Sequence, residues 1–275
     1  MAQTRYYYHE HLADYEEMKS RGLESRGELY GDRSFKDFSS RPFLEAVLPA
    51  LSLPPDVHAL ELGCGTGPGA CFLAERGYRV HAIDLIPDAI EKATEIADRL
   101  GHQINYDVLD VCDLPAAGDP YDLIVDSFCS QGIVKDEDRS RMFSAIKCRL
   151  SGRGYVLLSC CVLEPDRLNT DERIVDQESG AAYARFDSGD LFEMETEICY
   201  CRWKDREGLP NVGPEDYDGT ININGHWYIH RRRYRTADSL RSELADHGLR
   251  VIHQSGDVLE NAVCVHEASP HPRSI

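Results

Sequence analysis

The sequence lacks long apolar runs, paired metal-binding cysteines and a balancing share of positive charge. No segment approaches the roughly 20 consecutive apolar residues of a membrane helix, and the N-terminus has no apolar stretch typical of a secretory signal. None of the 10 cysteines falls in a C-x-x-C pair, so a tetrahedral zinc site is excluded and no metal is predicted. These absences predict a cytoplasmic protein that does not enter membranes.

Acidic residues strongly outnumber basic ones. The 48 Asp and Glu residues exceed the 30 Lys and Arg residues, which gives a formal net charge of -18. Because so acidic a surface repels phosphate backbones, nucleic acid is not expected as a partner. A small-molecule substrate is expected instead, and the protein is predicted to be a monomer or a homodimer. A basic protein substrate remains an alternative.

From residue 57 onward, short apolar segments alternate with amphipathic ones. This alternation predicts an α/β fold: a doubly wound, Rossmann-like, mostly parallel sheet of seven strands. Ligands of such sheets bind at the carboxyl ends of the central strands. The predicted parts are a helical arm or lid over 1–50, a cofactor-binding core over 51–163, an inserted substrate cap with antiparallel strands over 164–235, a closing helix and strands over 236–268, and a disordered tail over 269–275. One strand is predicted over 193–203.

The most informative motif is "LELGCGTGPG", residues 60–69, in which a strand runs into a glycine-dense turn and then a helix. Gly63, Gly65 and Gly67 permit a tight turn and a close approach of ligand to backbone. Asp84 ends the next predicted strand, where a carboxylate can bind the ribose hydroxyls of a nucleoside. The order of these elements predicts a nucleoside-containing cofactor.

The turn alone does not identify the nucleoside. Gly65-x-Gly67-x-x-Ala70 also satisfies the dinucleotide fingerprint, so an NAD-dependent oxidoreductase is an alternative. Glu61, inside the first strand, favours a cationic ligand over a pyrophosphate. Asp110, at the end of the third strand, can accept from an exocyclic amine such as that of adenine.

With Asp84 and "LDVCDLP", the motif "ELGCGTG" resembles class I S-adenosylmethionine-dependent methyltransferases, in particular their small-molecule branch. The resemblance implies S-adenosylmethionine as cofactor and S-adenosylhomocysteine as product. It also implies a set of cofactor-binding residues: Glu61, Gly63, Cys64, Gly65 and Gly67 at the methionine part, Asp84 at the ribose, Leu85, Ile86, Asp110 and Val111 at the adenine, and Ser127 and Phe128 beside the methyl group.

Methyl transfer is an in-line displacement in which positioning supplies most of the catalysis, although an amine or hydroxyl acceptor can also need a base. The candidates for that base are His9 and His11 in the arm, together with Tyr30. In the basic run "HWYIHRRRYR", strand alternation places Arg231 and Arg233 on one face, where they could bind an acidic group of the substrate. The expected activity is methyl transfer to N or O of a small molecule. A cofactor-binding module without catalysis is the third alternative.

Overall fold

The computed structural model describes residues 5–31, 33–163, 168–177, 179–186, 188–203, 213–256 and 259–271. Its helices are α1 Tyr8–Arg21, α2 Arg26–Tyr30, α3 Arg41–Val47, α4 Pro68–Ala74, α5 Pro87–Leu100, α6 Asp136–Arg149 and α7 Ala237–Asp246. Its strands are β1 His58–Leu62, β2 Arg79–Asp84, β3 Ile104–Val108, β4 Tyr121–Ser127, β5 Leu150–Cys161, β6 Leu168–Val175, β7 Ala182–Phe186, β8 Leu191–Glu193, β9 Ile198–Arg202, β10 Thr220–Ile223, β11 His226–Arg233, β12 Leu249–Ser255 and β13 Leu259–His266. None of these helices is long and apolar enough to cross a bilayer.

The central sheet has seven strands in the order β12-β13-β5-β4-β1-β2-β3. Strands β1 to β5 pair in parallel, whereas β13 runs antiparallel to both β5 and β12. The prediction of a Rossmann-like, mostly parallel, seven-stranded sheet is therefore confirmed. The chain order reverses between β1 and β4, and this reversal opens the crevice in which such folds bind ligands.

Both faces of the central strands are buried, which explains their nearly continuous apolar sequences. Leu60 and Leu62 of β1 pack into one apolar cluster, and Ala59 packs into another on the opposite face. The same alternation sends Ile124 of β4 to the first cluster and Leu123 to the second. This packing fixes the carboxyl ends of β1 and β4 beside each other.

A second sheet of six antiparallel strands, in the order β10-β11-β9-β8-β7-β6, occupies the predicted cap. It corrects the expectation of one strand over 193–203: β8 ends at Glu193, and β9 begins at Ile198. The chain turns between them with Glu197 at φ 59°. Part of the turn-rich stretch before β10, residues 204–212, lies outside the described residues.

Residues 269–271, the described part of the tail that was predicted to be disordered, make specific contacts with the rest of the protein. His271 stacks on Tyr155 with ring centroids 4.4 Å apart, and its Nε2 lies 2.9 Å from the carbonyl of Arg153. Arg250 donates to the carbonyls of Ser269 and His271. An aromatic partner on β5 therefore orders a polar segment whose composition suggested none; residues 272–275 lie outside the described range.

Candidate functional site

The loop between β1 and α4 is a tight, glycine-dependent turn at the carboxyl edge of the sheet. Gly63 and Gly65 have φ values of 59° and 57°, a region that side chains rarely adopt. A Cβ at Gly63 would lie 2.7 Å from Cys129 Sγ, and one at Gly65 would lie 2.8 Å from the Tyr15 hydroxyl. The turn therefore requires glycine both for its backbone conformation and for the space around it.

Glu61 projects from β1 into a cavity at this edge, although its side chain is almost fully buried. Burial raises the pKa of Glu61 to about 8, an effect that a hydrogen bond from the Ala70 amide partly offsets and the nearby Asp84 reinforces. Its Oε2 atom is buried and finds no hydrogen-bond donor within the described ranges. A buried carboxylate oxygen without a partner is costly, and a cationic ligand group would remove that cost.

Asp84 lies at the end of β2 and supports the glycine turn. Its Oδ2 accepts from the Gly65 amide at 2.9 Å, and its Oδ1 accepts from the Ile86 amide at 3.0 Å. Burial raises the pKa of Asp84, while these amides and the nearby Arg26 lower it. Each carboxylate oxygen can accept a further bond, so Asp84 is able to bind hydroxyl groups in the cavity.

Asp110, which follows β3, anchors the N-terminal arm. Arg5 Nε donates to its Oδ2 at 2.8 Å, and the Tyr7 hydroxyl lies 2.8 Å from both carboxylate oxygens. Arg5 also reaches Asp113 at 2.7 Å and Asp138 at 2.5 Å. An adenine amine bound at Asp110 would therefore share this carboxylate with the arm.

The end of β4 forms the wall opposite the glycine turn. Phe128 has φ 66°, a strained conformation for a bulky side chain, and its amide donates to the Ser159 carbonyl at 2.8 Å. Ser127 and Ser40 share a hydrogen bond of 2.7 Å between their hydroxyl oxygens. This bond brings the segment that precedes α3 to the carboxyl end of a central strand.

All of the predicted cofactor residues except Gly67 and Ile86 line this one cavity. Gly67 precedes α4 with φ 83°, and Ile86 is fully buried beneath Asp84, so both support the cavity from outside. Of the proposed bases, His11 lines the cavity. His9 instead packs against Tyr8 and Tyr217, away from the cavity, and partial burial lowers its pKa.

Three predicted residues need correction, because the structure does not bring them to the cavity. Tyr30 is 69% exposed and donates to Asp14. Arg233 is buried against the Val134 carbonyl and pairs with Asp136, while Arg231 lies 3.7 Å from Asp190.

The reason for the misplaced arginines is a bulge in β11. His230 pairs with Tyr200 and Arg232 with Cys199, so Arg231 is an extra residue that breaks the alternation assumed from the sequence. Arg232, which that alternation assigned to the other face, lines the cavity.

Sequence reasoning missed Tyr15, which completes the part of the wall that the arm supplies. Tyr7, His11 and Tyr15 follow each other at intervals of four residues and all line the cavity. This spacing places His11 and Tyr15 on one face of α1, with Tyr7 at the N-cap of that helix, a signal that the sequence does contain. Arg26 also lines the cavity, and no comparable spacing marks it.

Residues 59–154 match the family model of a methyltransferase domain. Over 55 residues, the chain is 42% identical to an S-adenosyl-L-methionine-dependent Diels-Alderase of Neonectria sp. (strain DH2), a match that covers 20% of this chain and 22% of that protein. This relative is therefore matched over about a fifth of its own length.

Two solved structures share the fold over most of the chain. An S-adenosylmethionine-dependent methyltransferase from Clostridium acetobutylicum ATCC 824 has a TM-score of 0.59 and 16% identity, covering 86% of this chain and 93% of its own. Magnesium protoporphyrin IX methyltransferase from Synechocystis PCC 6803, solved with bound SAH, has a TM-score of 0.55 and 14% identity, covering 93% and 99%. At these identities the likeness concerns the fold.

Proposed function

We propose that residues 59–154, which match the family model of a methyltransferase domain, form the core of a class I S-adenosylmethionine-dependent methyltransferase. On that premise, the protein transfers a methyl group from S-adenosylmethionine to a nitrogen or oxygen of a small molecule. When bound, this cofactor supplies a sulfonium-activated methyl group that an acceptor attacks in line with the departing sulfur. The protein's own contribution is to position the two reactants and to exclude water from between them.

The observation that carries the proposal is the unpartnered, buried Oε2 atom of Glu61 beside the glycine turn. A ligand that presents an ammonium group would pair with this oxygen. A pyrophosphate in the same place could form no ion pair with Glu61, whether that carboxyl is neutral or ionised, which argues against the NAD-dependent alternative. Asp84 and Asp110 add two further carboxylates to the cavity, and their oxygens can accept from hydroxyl and amine groups of the cofactor.

The residues present fit this cofactor. Glu61 would hold the ammonium group, and the glycine turn would let the methionine part approach the backbone. Asp84 would accept from the ribose hydroxyls through the lone pairs that the Gly65 and Ile86 amides leave free. Ser127 and Phe128 would then border the place where the acceptor meets the methyl group.

His11 is the base that we assign to acceptors that must lose a proton. It lies in the cavity wall, and its Nε2 is 3.7 Å from the position that a Cβ on Gly132 would take. The hydroxyls of Tyr7 and Tyr15 are poorer bases for this step, because burial raises the pKa of both above their ordinary value and keeps them protonated.

Calorimetry with S-adenosylmethionine, S-adenosylhomocysteine and NADH tests the cofactor assignment. We expect micromolar binding of the first two and none of NADH, with binding lost in Asp84→Ala. Asp98→Ala, which changes an exposed carboxylate on α5, is the matched control and should bind as the wild type does. Preferential binding of NADH would overturn the proposal. An acceptor screen that follows S-adenosylhomocysteine formation then tests turnover.

A further inference from the structure

Two arginines from distant parts of the chain face the same cavity. Arg26 belongs to α2 in the arm, and Arg232 belongs to β11 in the cap. Arg26 pairs with Asp14, and Arg232 donates to Glu10 at 2.9 Å. Because Glu10 and Asp14 stand four residues apart on α1, they are neighbours on one face of that helix, and their two guanidinium partners are brought side by side.

The ion pair of Arg26 leaves one of its guanidinium donors without an acceptor in the described part of the chain. The Nε atom of Arg26 is buried and has no acceptor among the residues that the structure describes. In Arg232, Nη1 donates to Glu10 and to the Arg231 carbonyl at 2.7 Å, and a guanidinium has further N–H groups on its Nε and Nη2 atoms. Burial lowers the pKa of Arg26, and the nearby positive charge of Arg232 lowers it further.

Two adjacent cations, one of which has a buried donor that meets no acceptor among the described residues, are an unusual feature of a chain with net charge -18. An anion between them would relieve their mutual repulsion and accept from the free N–H groups, an arrangement that suits the planar shape of a carboxylate. Ion pairs alone do not explain why the buried Arg26 Nε meets no acceptor among the residues of the described ranges. The arrangement has the charge and the donors of an incomplete anion site.

We propose that Arg26 and Arg232 together form a carboxylate-binding site in the cavity wall. The inference rests on the proposed function, because it assigns a ligand group to the same cavity. The carboxylate can come from the methionine part of the cofactor or from an acidic acceptor molecule. In both cases one residue of the arm and one of the cap would bind the same ligand group.

The test measures S-adenosylhomocysteine affinity by calorimetry in the wild type, in Arg26→Gln and in Arg232→Gln. The same three proteins are titrated with the decarboxylated analogue of S-adenosylhomocysteine, which keeps the amine but lacks the carboxylate. Arg21→Gln, on the same arm and paired with Glu17, is the control for loss of one surface charge. Circular dichroism and thermal unfolding of each variant verify that it folds.

If the carboxylate belongs to the cofactor, Arg26→Gln and Arg232→Gln should each bind S-adenosylhomocysteine about tenfold or more weakly than the wild type, which is the loss expected for a charge-assisted pair. Both variants should bind the decarboxylated analogue as the wild type does. If it belongs to the acceptor, S-adenosylhomocysteine affinity stays unchanged. Benzoate should then raise the melting temperature of the loaded wild type and of Arg21→Gln but not of the two cavity variants. Either pattern supports the site.

The proposal is overturned if the variants bind S-adenosylhomocysteine normally and benzoate affects all loaded proteins alike. Equal weakening toward S-adenosylhomocysteine and its decarboxylated analogue also contradicts it, because the arginines would then act without the carboxylate. Failure of the wild type to bind S-adenosylhomocysteine would refute the proposed function itself. The two failures are therefore distinguishable.

Discussion

Replacement of Glu61 by Gln should remove a proton that the protein releases when it binds its cofactor. With its pKa at about 8, Glu61 is largely protonated in the ligand-free protein at neutral pH. An ammonium group placed against its unpartnered Oε2 favours the ionised form, so binding should expel the proton. The side-chain amide of the Glu61→Gln variant cannot ionise and would carry no proton to lose.

The size of the effect follows from the pKa. At pH 7 a carboxyl group with a pKa of about 8 is about nine-tenths protonated, so binding should release close to one proton. Raising the pKa from 4.5 to about 8 corresponds to a cost on the order of 5 kcal/mol for ionising Glu61 in the empty, folded protein. Between pH 4.5 and about pH 8, the folded state therefore binds more protons than the unfolded state. As a result, the free energy of unfolding of the ligand-free protein should fall as the pH rises from 4.5 to about 8.

Calorimetric titration of S-adenosylhomocysteine in phosphate and in Tris at pH 7 measures the release, because the two buffers differ in their heat of ionisation. The wild type should release about one proton, and Glu61→Gln should release about none. Glu260→Gln alters another buried glutamate, on β13 and outside the cavity, and should behave as the wild type. Equal proton release by the wild type and Glu61→Gln would refute the assignment of Glu61.

Three further changes test the site and its support. Gly63→Ala places a Cβ 2.7 Å from Cys129 Sγ at a φ of 59°. The substitution should destabilise the protein by about 1–3 kcal/mol, measured by urea unfolding, and should abolish cofactor binding. An unchanged affinity for the cofactor would contradict the need for glycine at this position. His11→Gln should lower kcat about a hundredfold or more for an acceptor that loses a proton, whereas an unchanged kcat would exclude His11 as the base. Arg139→Ala removes the buried partner 2.5 Å from Glu243 and should cost about 3–5 kcal/mol of stability. Burial acts to raise the pKa of Glu243, but Arg139 and Arg235 hold it at about 2, so the stability of the wild type should fall as the pH drops from about 4.5 to about 2. If Arg139→Ala loses stability over the same pH range to the same extent, Arg139 does not stabilise the ionised Glu243.

The core of the fold could be predicted because its signals are local. For example, α5 begins at Pro87 and is capped by Gly101, because proline suits the first turn of a helix and glycine suits the left-handed residue that ends it. Glu61 and Asp84 reach the cavity for a similar reason: each stands at or near the end of a parallel strand, and the carboxyl ends of parallel strands share one edge.

The arginines show where this reasoning fails. The prediction for Arg231 and Arg233 assumed that β11 alternates without interruption, and one bulge moves Arg232 to the cavity in their place. A bulge depends on the pairing of β11 with β9, so nothing within the run "RRR" could reveal it. The order at His271 likewise depends on Tyr155, which is distant in sequence.

The sequence by itself determined the parallel sheet, the glycine turn and the carboxylates at the strand ends, because hydrophobic periodicity and backbone conformation are properties of short segments. Only the tertiary structure decided what faces them. The contact of Arg5 and Tyr7 with Asp110 and the approach of Arg26 to Arg232 join segments more than a hundred residues apart. Such contacts depend on how the arm and the cap pack across the crevice, and packing between distant surfaces leaves no periodic signal in either segment.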